Sequence, residues 1–172
     1  EVEDFAMRGL WLKNHFKNNH PLVLELGCGK GEYTTAMAAA FNDKNFIGVD
    51  LKGNRLWTGA KIALENNLHN AAYLRTRIEN ITSAFAKNEV DEIWITFPDP
   101  QPTEKRIKKR LTSLPFLNRY QQILKPGGII HLKTDSALLY DFTMELIKQE
   151  GFELLLNSNN LYAEAEGFLG PH

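Results

Sequence analysis

The chain has 172 residues, of which 43% are hydrophobic and 24% are charged, and its net charge is −1. This length and composition predict one globular domain with a buried core and exclude a low-complexity chain. No apolar run is long enough to cross a membrane, and no signal peptide is visible. The single cysteine, Cys28, excludes an internal disulfide, so we expect an intracellular, cytoplasmic protein. Because the net charge is near zero, a nucleic-acid surface must be a local basic patch.

Residues 4–18 have the apolar spacing of an amphipathic helix, and Lys13, His15 and Lys17 make it basic. We expect this helix to pack on the edge of the sheet. The alternatives are a flap over a ligand and a contact to nucleic acid.

A glycine turn, residues 27–31, follows an apolar run at residues 22–26 and precedes an alanine-rich stretch at residues 33–41. The pattern predicts a buried strand, a tight turn and a helix, and glycines let a ligand approach the backbone because they have no Cβ. In the dinucleotide fingerprint the third glycine comes one position later than Gly31 does here. Glu32 at the helix start disfavours a pyrophosphate. The turn therefore favours a ligand that carries positive charge or no phosphate.

Two carboxylates accompany this turn. Asp50 ends a second predicted strand, residues 45–50, where a carboxylate can accept hydrogen bonds from both ribose hydroxyls. The alternative for Asp50 is a helix cap, since residues 53–68 have a helical pattern. Glu25 lies inside the first apolar strand, where a carboxylate is costly unless it has a partner. A ligand amino group or backbone donors of the turn could supply that partner.

A rigid turn follows the fourth predicted strand. Residues 71–76 form the third strand, residues 77–80 lead into a short helix, and residues 91–97 form the fourth strand. Pro98 and Pro100 flank Asp99 at its carboxyl end, which in open α/β sheets is the edge that holds the ligand. Asp99 could instead accept hydrogen bonds only from backbone amides of the turn, but the prolines remove donors.

The basic segment, residues 105–110, has five basic residues in six, with only Glu104 as an adjacent acidic partner. If it is helical, Lys105 and Lys109 share a face, as do Arg106 and Arg110. Its unbalanced charge beside the Asp99 turn favours contacts with nucleic-acid phosphates over a merely solvated helix face.

The rest of the chain completes an α/β pattern. We predict a helix at residues 114–124, a sharp turn at residues 125–128, a fifth strand at residues 129–133, a helix at residues 136–150 and a sixth strand at residues 151–157. Asp135 follows the fifth strand, at the same edge as Asp99. The tail from residue 158 has no clear periodicity.

The histidines have no ligand spacing, so we expect no metal site. His131 is mid-strand and fits a satisfied core group, and Cys28 has no histidine nearby in sequence to make it a nucleophile.

Together these motifs resemble the bacterial tRNA (guanine-N7-)-methyltransferase family over residues 9–160. The motifs are residues 24–31, 47–50, 97–100 with 105–110, 125–128 and 134–135. The resemblance implies a three-layer, Rossmann-like methyltransferase fold of the α/β class, with a mostly parallel sheet and helices on both faces. It also implies transfer of a methyl group from S-adenosylmethionine to N7 of guanine in the tRNA variable loop, at tRNA position 46. Residues 1–172 would be one such domain, shortened at both ends, and a monomer or a homodimer.

The resemblance also assigns roles to residues. Asp99 would be the catalytic-site aspartate and would lie near the cofactor. The other cofactor-binding positions would be Glu25, Gly27, Gly29, Gly31, Asp50, Arg77 and Ile78. The positions that bind the tRNA substrate would be Thr103, Lys105, Arg106, Lys108, Lys109, Arg110 and Asp135.

This sequence departs from the family pattern at several points. Gln101 replaces a tryptophan, and Thr103 replaces a lysine for which Lys105 could substitute imperfectly. Arg77 aligns with an acidic or polar residue on the adenine side, so the backbone amide near Ile78 could serve there instead. The family's closing Thr-x-x-Glu segment, which contacts substrate, is not found.

The chemistry needs no strong base, because guanine N7 has an exposed lone pair and no proton. The enzyme must orient N7, and Asp99 can stabilise the positive charge that develops on the purine. Asp99 and Asp135 can accept hydrogen bonds from guanine N1–H and the exocyclic amine, which selects against adenine.

Three other functions stay open. A methyltransferase of the same fold could act on a protein or a metabolite, which the basic segment disfavours. A nicotinamide-dependent oxidoreductase is disfavoured by the glycine spacing. A catalytically inactive RNA-binding module is kept open by the missing Thr-x-x-Glu segment.

Overall fold

A computed structural model describes residues 3–159. It has five parallel strands in the order β3-β2-β1-β4-β5. The strands are β1 Leu22–Leu26, β2 Asn45–Asp50, β3 Ala71–Arg75, β4 Val90–Thr96 and β5 Leu124–Lys133. The helices are α1 Glu32–Ala40, α2 Gly53–Glu65, α3 Ile81–Ala84, α4 Leu114–Ile123 and α5 Ala137–Glu150. A π-helical segment, Trp11–Phe16, and two 3₁₀ helices, Ile78–Asn80 and Glu104–Lys109, complete the regular structure.

Strand β1 lies at the centre of the sheet because all five of its residues are apolar or internally satisfied, and all are buried. Leu24 is in register with Ile47 of β2 and with Ile93 of β4. Alternate residues point to opposite faces. On one face Leu24 and its neighbours pack in a core shared with α3 and α4, and on the other Val23 packs with Met37 and Ala38 of α1. The predicted α/β fold, a parallel sheet with helices on both faces, is confirmed.

The predicted sharp turn at residues 125–128 lies within β5. The register with β4 jumps between Val90 and Glu92, where the chain of β5 loops out around Gly127, whose φ is +78°. The ladder resumes at Ile129, the residue at which the fifth strand was predicted to begin. None of the helices in residues 3–159 combines the length and the apolar character needed to cross a membrane.

The prediction of a continuous helix at residues 4–18 is wrong. Gly9 has a φ of +77°, which interrupts a helix, and the carboxylate of Glu89 accepts hydrogen bonds from the amides of Gly9 and Trp11. The Trp11 indole donates to the carbonyl of Ala84 and stacks on Phe85. Tertiary anchoring therefore overrides the helical pattern, and these contacts of Trp11 are with Ala84 of α3 and with Phe85.

The predicted sixth strand, residues 151–157, is also wrong. Gly151 ends α5 in a left-handed conformation, and the following residues pair with no strand in the described part of the chain. Leucines 154–156 are exposed. β5 is an edge strand of the sheet, but residues 151–157 do not pair with it, so their β propensity does not lead to a strand. The predicted tail lies outside the described residues from residue 160 onward.

Candidate active site at the carboxyl edge of the sheet

The glycine turn joins β1 to α1 as predicted. Gly27, Gly29 and Gly31 all have positive φ, between 58° and 72°. At Gly31 a Cβ would collide with the ring of Tyr73, so a side chain is excluded there by packing as well as by conformation. At Gly29 a Cβ would meet nothing within 4 Å. The turn therefore exposes backbone to open space at Gly29 while Gly31 is packed against the protein.

Asp50 connects this turn to the end of β2. Its Oδ2 accepts a hydrogen bond from the Gly29 amide, and its Oδ1 accepts one from the Lys52 amide, both at 2.9 Å. The bond to Lys52 is a local turn before α2; the predicted alternative, a helix cap, is not observed, because the N-cap of α2 is Lys52 and this helix has no side-chain capping hydrogen bond. Each carboxylate oxygen accepts up to two hydrogen bonds, so Asp50 keeps acceptor capacity for a ligand.

Glu25 is buried, and the protein itself supplies its partners. The Thr34 amide donates to Oε2 at 2.9 Å, the Thr34 hydroxyl donates to the same atom, and the Thr96 hydroxyl donates to Oε1 at 2.6 Å. Burial raises the pKa of Glu25, and these hydrogen bonds oppose that rise. The backbone donor is Thr34 of α1 and not a residue of the glycine turn, and two hydroxyls donate as well. The carboxylate thereby links β1, α1 and β4 beneath the glycine turn.

The Asp99 turn, residues 97–101, has a strained backbone. Phe97 and Gln101 have φ of +46° and +47°, which non-glycine residues rarely adopt. The Phe97 amide donates to the carbonyl of Lys133 at 2.7 Å, which ties the start of the turn to β5. Asp99 is exposed, and its Oδ1 accepts a hydrogen bond from the Gln101 amide at 2.9 Å. The turn thus presents a carboxylate at the carboxyl edge with one oxygen held by the backbone.

The basic segment adopts a 3₁₀ helix over Glu104–Lys109 instead of an α-helix. With three residues per turn, Lys105 aligns with Lys108 and Arg106 with Lys109, which corrects the predicted pairing of faces. All four of these cations are exposed. Lys109 Nζ lies 3.9 Å from a carboxylate oxygen of Glu79, an exposed ion pair that contributes little stability. Thr103, also exposed, precedes the helix.

Arg110 does not belong to this exposed surface, contrary to the prediction. Its side chain is 5% exposed. The guanidinium donates to the carbonyls of Pro100 and Gln101 and lies 4.5 Å from the centre of the Phe142 ring. No signal in the sequence separates Arg110 from its basic neighbours, because its partners are brought to it by the tertiary fold.

The remaining predicted residues also follow the carboxyl ends of strands. Arg77 is exposed just after β3, Ile78 packs on the core and opens the 3₁₀ helix, and Asp135 is exposed just after β5. Since the carboxyl ends of parallel strands meet at one edge, the glycine turn, Asp50, Arg77, Asp99 and Asp135 share that edge.

The side chains of Cys28 and His131 are at least half-buried and interact with other side chains of the protein. Burial raises the pKa of the Cys28 thiol, and the nearby carboxylates of Glu25 and Asp50 add to the rise. His131 is half-buried, stacks on Trp94 with ring centres 4.0 Å apart, and shares a hydrogen bond with Glu92 at 3.1 Å. Within residues 3–159, no group of three or more histidine, cysteine, aspartate or glutamate side chains is placed to hold a metal ion.

Comparisons with known proteins identify the family. Residues 19–167 match the family described as "Putative methyltransferase". The chain is 56% identical over 158 residues to the tRNA (guanine-N(7)-)-methyltransferase of Christiangramia forsetii, covering 92% of this chain and 70% of that protein. It is 50% identical over 160 residues to the protein of the same name in Porphyromonas gingivalis, covering 93% of this chain and 65% of that protein. The chain therefore spans about two thirds of the length of these relatives.

A solved structure supports the fold. The aminoglycoside resistance methyltransferase NpmB1 superposes with a TM-score of 0.61 at 20% identity, over 84% of this chain and 69% of that one. With this fold, a glycine turn beside Asp50, and a family match over most of its length, the chain belongs to the tRNA (guanine-N(7)-)-methyltransferase family.

Proposed function

We propose that this protein transfers a methyl group from S-adenosylmethionine to N7 of a guanine in the variable loop of tRNA, at tRNA position 46. The observation that carries the proposal is the Asp99 turn. Its carboxylate is exposed and lies at the same edge of the sheet as the glycine turn. Its backbone is strained and is held by hydrogen bonds. Both features lie in a chain with the family's motifs.

The residues present fit S-adenosylmethionine. Gly29 leaves open space beside the backbone of the turn, and Asp50 retains acceptor capacity for ribose hydroxyls. The amide of Ile78, at the start of the 3₁₀ helix, has no partner within that helix and is available to an adenine ring, with Arg77 beside it. Glu32 at the start of α1 suits a cationic ligand. When bound, the cofactor supplies an electrophilic methyl group on a sulfonium.

Glu25 stabilises the glycine turn of this site. Because both of its oxygens are already held by Thr34 and Thr96, we assign Glu25 to fixing the turn, and its remaining acceptor capacity serves the cofactor. Gly27 and Gly31 act in the same way, through the shape of the turn.

Asp99 and Asp135 act on the substrate. A carboxylate close to the purine stabilises the positive charge that grows on guanine as N7 gains a methyl group. Their oxygens also accept hydrogen bonds from guanine N1–H and the exocyclic amine, groups for which adenine has no equivalent in that arrangement. No side chain has to remove a proton from N7, so the protein contributes mainly orientation and charge.

The exposed cations of the basic segment hold the tRNA backbone. Lys105, Arg106, Lys108 and Lys109 lie just after the Asp99 turn and are open to solvent, and Thr103 adds a hydroxyl at the start of their helix. Phosphate contacts of this kind position a substrate without reading its sequence.

The test is methyl transfer from labelled S-adenosylmethionine to unmodified tRNA transcripts, with the modified base identified by mass spectrometry. We expect 7-methylguanosine that disappears when the variable-loop guanine is replaced by adenine. Asp99→Asn should lower turnover by about 100-fold or more. The matched control is Asp43→Asn, an exposed aspartate that precedes β2 at the opposite edge. Label in another base, or equal turnover by the Asp99 variant and its control, would contradict the proposal.

A further inference from the structure

Arg110 is the one cation of the basic segment that the proposed function does not use. Its side chain is buried, and its guanidinium is occupied by main-chain carbonyls: Nε lies 3.1 Å from the Pro100 oxygen, and Nη2 lies 3.2 Å from the Gln101 oxygen. Phe142 of α5 covers the guanidinium plane. Within the described residues no carboxylate is paired with Arg110. Arg110 therefore stabilises the backbone at Pro100 and Gln101. Because its side chain is buried, it has little surface with which to contact RNA.

The backbone that it holds is the strained end of the Asp99 turn. Gln101 has a φ of +47°, and such a conformation persists only where the surroundings impose it. Pro98, Pro100 and Pro102 have no N–H groups, so the turn cannot stabilise itself with a ladder of backbone hydrogen bonds. At its start, the amide of Phe97 is bonded to β5. At its end, Arg110 holds the carbonyls of Pro100 and Gln101, and the amide of Gln101 is bonded to Asp99.

A short path of contacts joins Arg110 to Asp99. Arg110 binds the carbonyl of Gln101, and the amide of the same residue donates to Oδ1 of Asp99. The Phe142 ring that covers the guanidinium is also held in place. The hydroxyl of the next residue, Thr143, is 2.7 Å from that of Thr112, so α5 is bonded to the segment that follows Arg110. Movement of Gln101 therefore changes the direction of the Asp99 carboxylate.

We propose that Arg110 is a positioning residue that orients Asp99 for methyl transfer and does not contact tRNA. The inference rests on the proposed function. Lysine keeps the charge but lacks the planar fork that reaches two carbonyls at once. Arg110→Lys should therefore lower kcat by about 10- to 100-fold through misplacement of the carboxylate. The KM for tRNA, and the slope of tRNA affinity against salt concentration, should stay as in the wild type.

The control is Arg119→Lys. Arg119 also donates to a carbonyl, that of Pro115, and also lies over a phenylalanine ring, that of Phe116, but it is on α4 and distant in the chain from the turn. This variant loses the same kind of interactions, so an equal fall in kcat would mean that Arg110 acts only through general stability. Phe142→Leu is a second variant, which removes the ring beneath the guanidinium and should lower kcat less than Arg110→Lys does.

A double variant tests whether the effect passes through Asp99. If it does, Arg110→Lys should cost almost nothing further in an Asp99→Asn background, because residues that act as a unit are not additive. Full additivity would overturn the inference. So would a kcat within about twofold of the wild type, or a reduced salt slope, which would make Arg110 a phosphate contact.

Amide hydrogen exchange separates this inference from the proposed function. The Gln101 amide proton is bonded to Asp99, so its exchange, followed by NMR, should be faster in Arg110→Lys than in the wild type and in Arg119→Lys. Unchanged exchange would overturn the inference. A wild-type protein that methylates no guanine would instead refute the proposed function, and the exchange result would still report whether Arg110 holds the turn.

Discussion

The amide of Gly29 donates to Oδ2 of Asp50 at 2.9 Å, which joins the glycine turn to the end of β2. The other oxygen of the same carboxylate is bonded to the Lys52 amide. Asp50 therefore shapes the turn through hydrogen bonds within the protein. In the proposed cofactor site, the residue that receives the ribose also fixes the loop on which the rest of the cofactor lies.

Asp50→Asn tests this double role. The amide nitrogen of asparagine would face a backbone N–H, and the charge would be lost, at a cost of about 1.5–3 kcal/mol for each charge-assisted hydrogen bond. Affinity for S-adenosylhomocysteine, measured by calorimetry, should fall by at least about 10-fold. Asp43→Asn, exposed at the other edge, is the control. Equal affinities for the two variants would contradict the assignment.

The candidate site residues that follow the strands were largely predictable from the sequence because their signals are local. An apolar run followed by glycines, or a strand followed by Asp50 or Asp99, is read within a few residues. The partners of those residues are not local. Thr96 is 71 residues from the carboxylate of Glu25 that it supports, and Phe142 is 32 residues from Arg110. No periodicity predicts such pairs.

The errors at both ends of the chain have the same origin. Residues 4–18 do have a helical apolar pattern, but the carboxylate of Glu89, 80 residues after Gly9, accepts a hydrogen bond from the Gly9 amide and stabilises a non-helical backbone there. Residues 151–157 have strand-forming composition, but they do not pair with β5, which is an edge strand of the sheet. The conformation of both segments depends on tertiary pairing, which the composition of a segment does not reveal.

Neutralising the exposed cations tests the tRNA surface. The triple variant Lys105→Gln, Arg106→Gln and Lys108→Gln should bind tRNA more weakly, and the slope of log affinity against log salt should shrink by about 0.7–0.9 per lost phosphate contact. Fluorescence anisotropy over a range of salt concentrations measures it.

A second triple variant serves as the control. It carries glutamine at Lys61, Lys87 and Lys148, which are outside the basic segment. The same loss of net charge should leave the salt slope close to that of the wild type. If both triple variants reduce the slope equally, the basic segment is a solvated surface with no special part in binding.

Removing a partner of Glu25 tests its supporting role. Thr96→Val keeps the shape of the side chain but deprives the buried Oε1 of its hydrogen bond, which should destabilise the fold by about 1–3 kcal/mol. Burial already raises the pKa of Glu25, and losing a hydrogen bond to the ionised form raises it further. A raised pKa means that the folded state binds the proton more tightly than the unfolded chain, so stability declines as pH rises through that range.

The penalty of Thr96→Val should therefore grow as pH rises above 4.5, the ordinary pKa of a glutamate, and urea denaturation over a range of pH measures it. Thr58→Val is the control, because the Thr58 hydroxyl is bonded only to a carbonyl of its own helix, at 3.5 Å. A penalty that does not change with pH anywhere in that range would contradict the supporting role of Thr96 for the ionised Glu25.

Glu92 should show the opposite dependence on pH. Hydrogen bonds from His131 and Lys44 lower its pKa from 4.5 to about 2. A lowered pKa means that the unfolded chain binds the proton more tightly, so the stability that this carboxylate contributes is complete above about pH 5 and is lost as pH falls towards about 2. Glu92→Gln should thus be less stable than the wild type near neutral pH, and the difference should shrink on acidification. Denaturation curves between about pH 3 and pH 7 measure that difference, with the exposed Glu153→Gln as the control. A difference that stays constant with pH would show that the contacts of Glu92 do not depend on its charge.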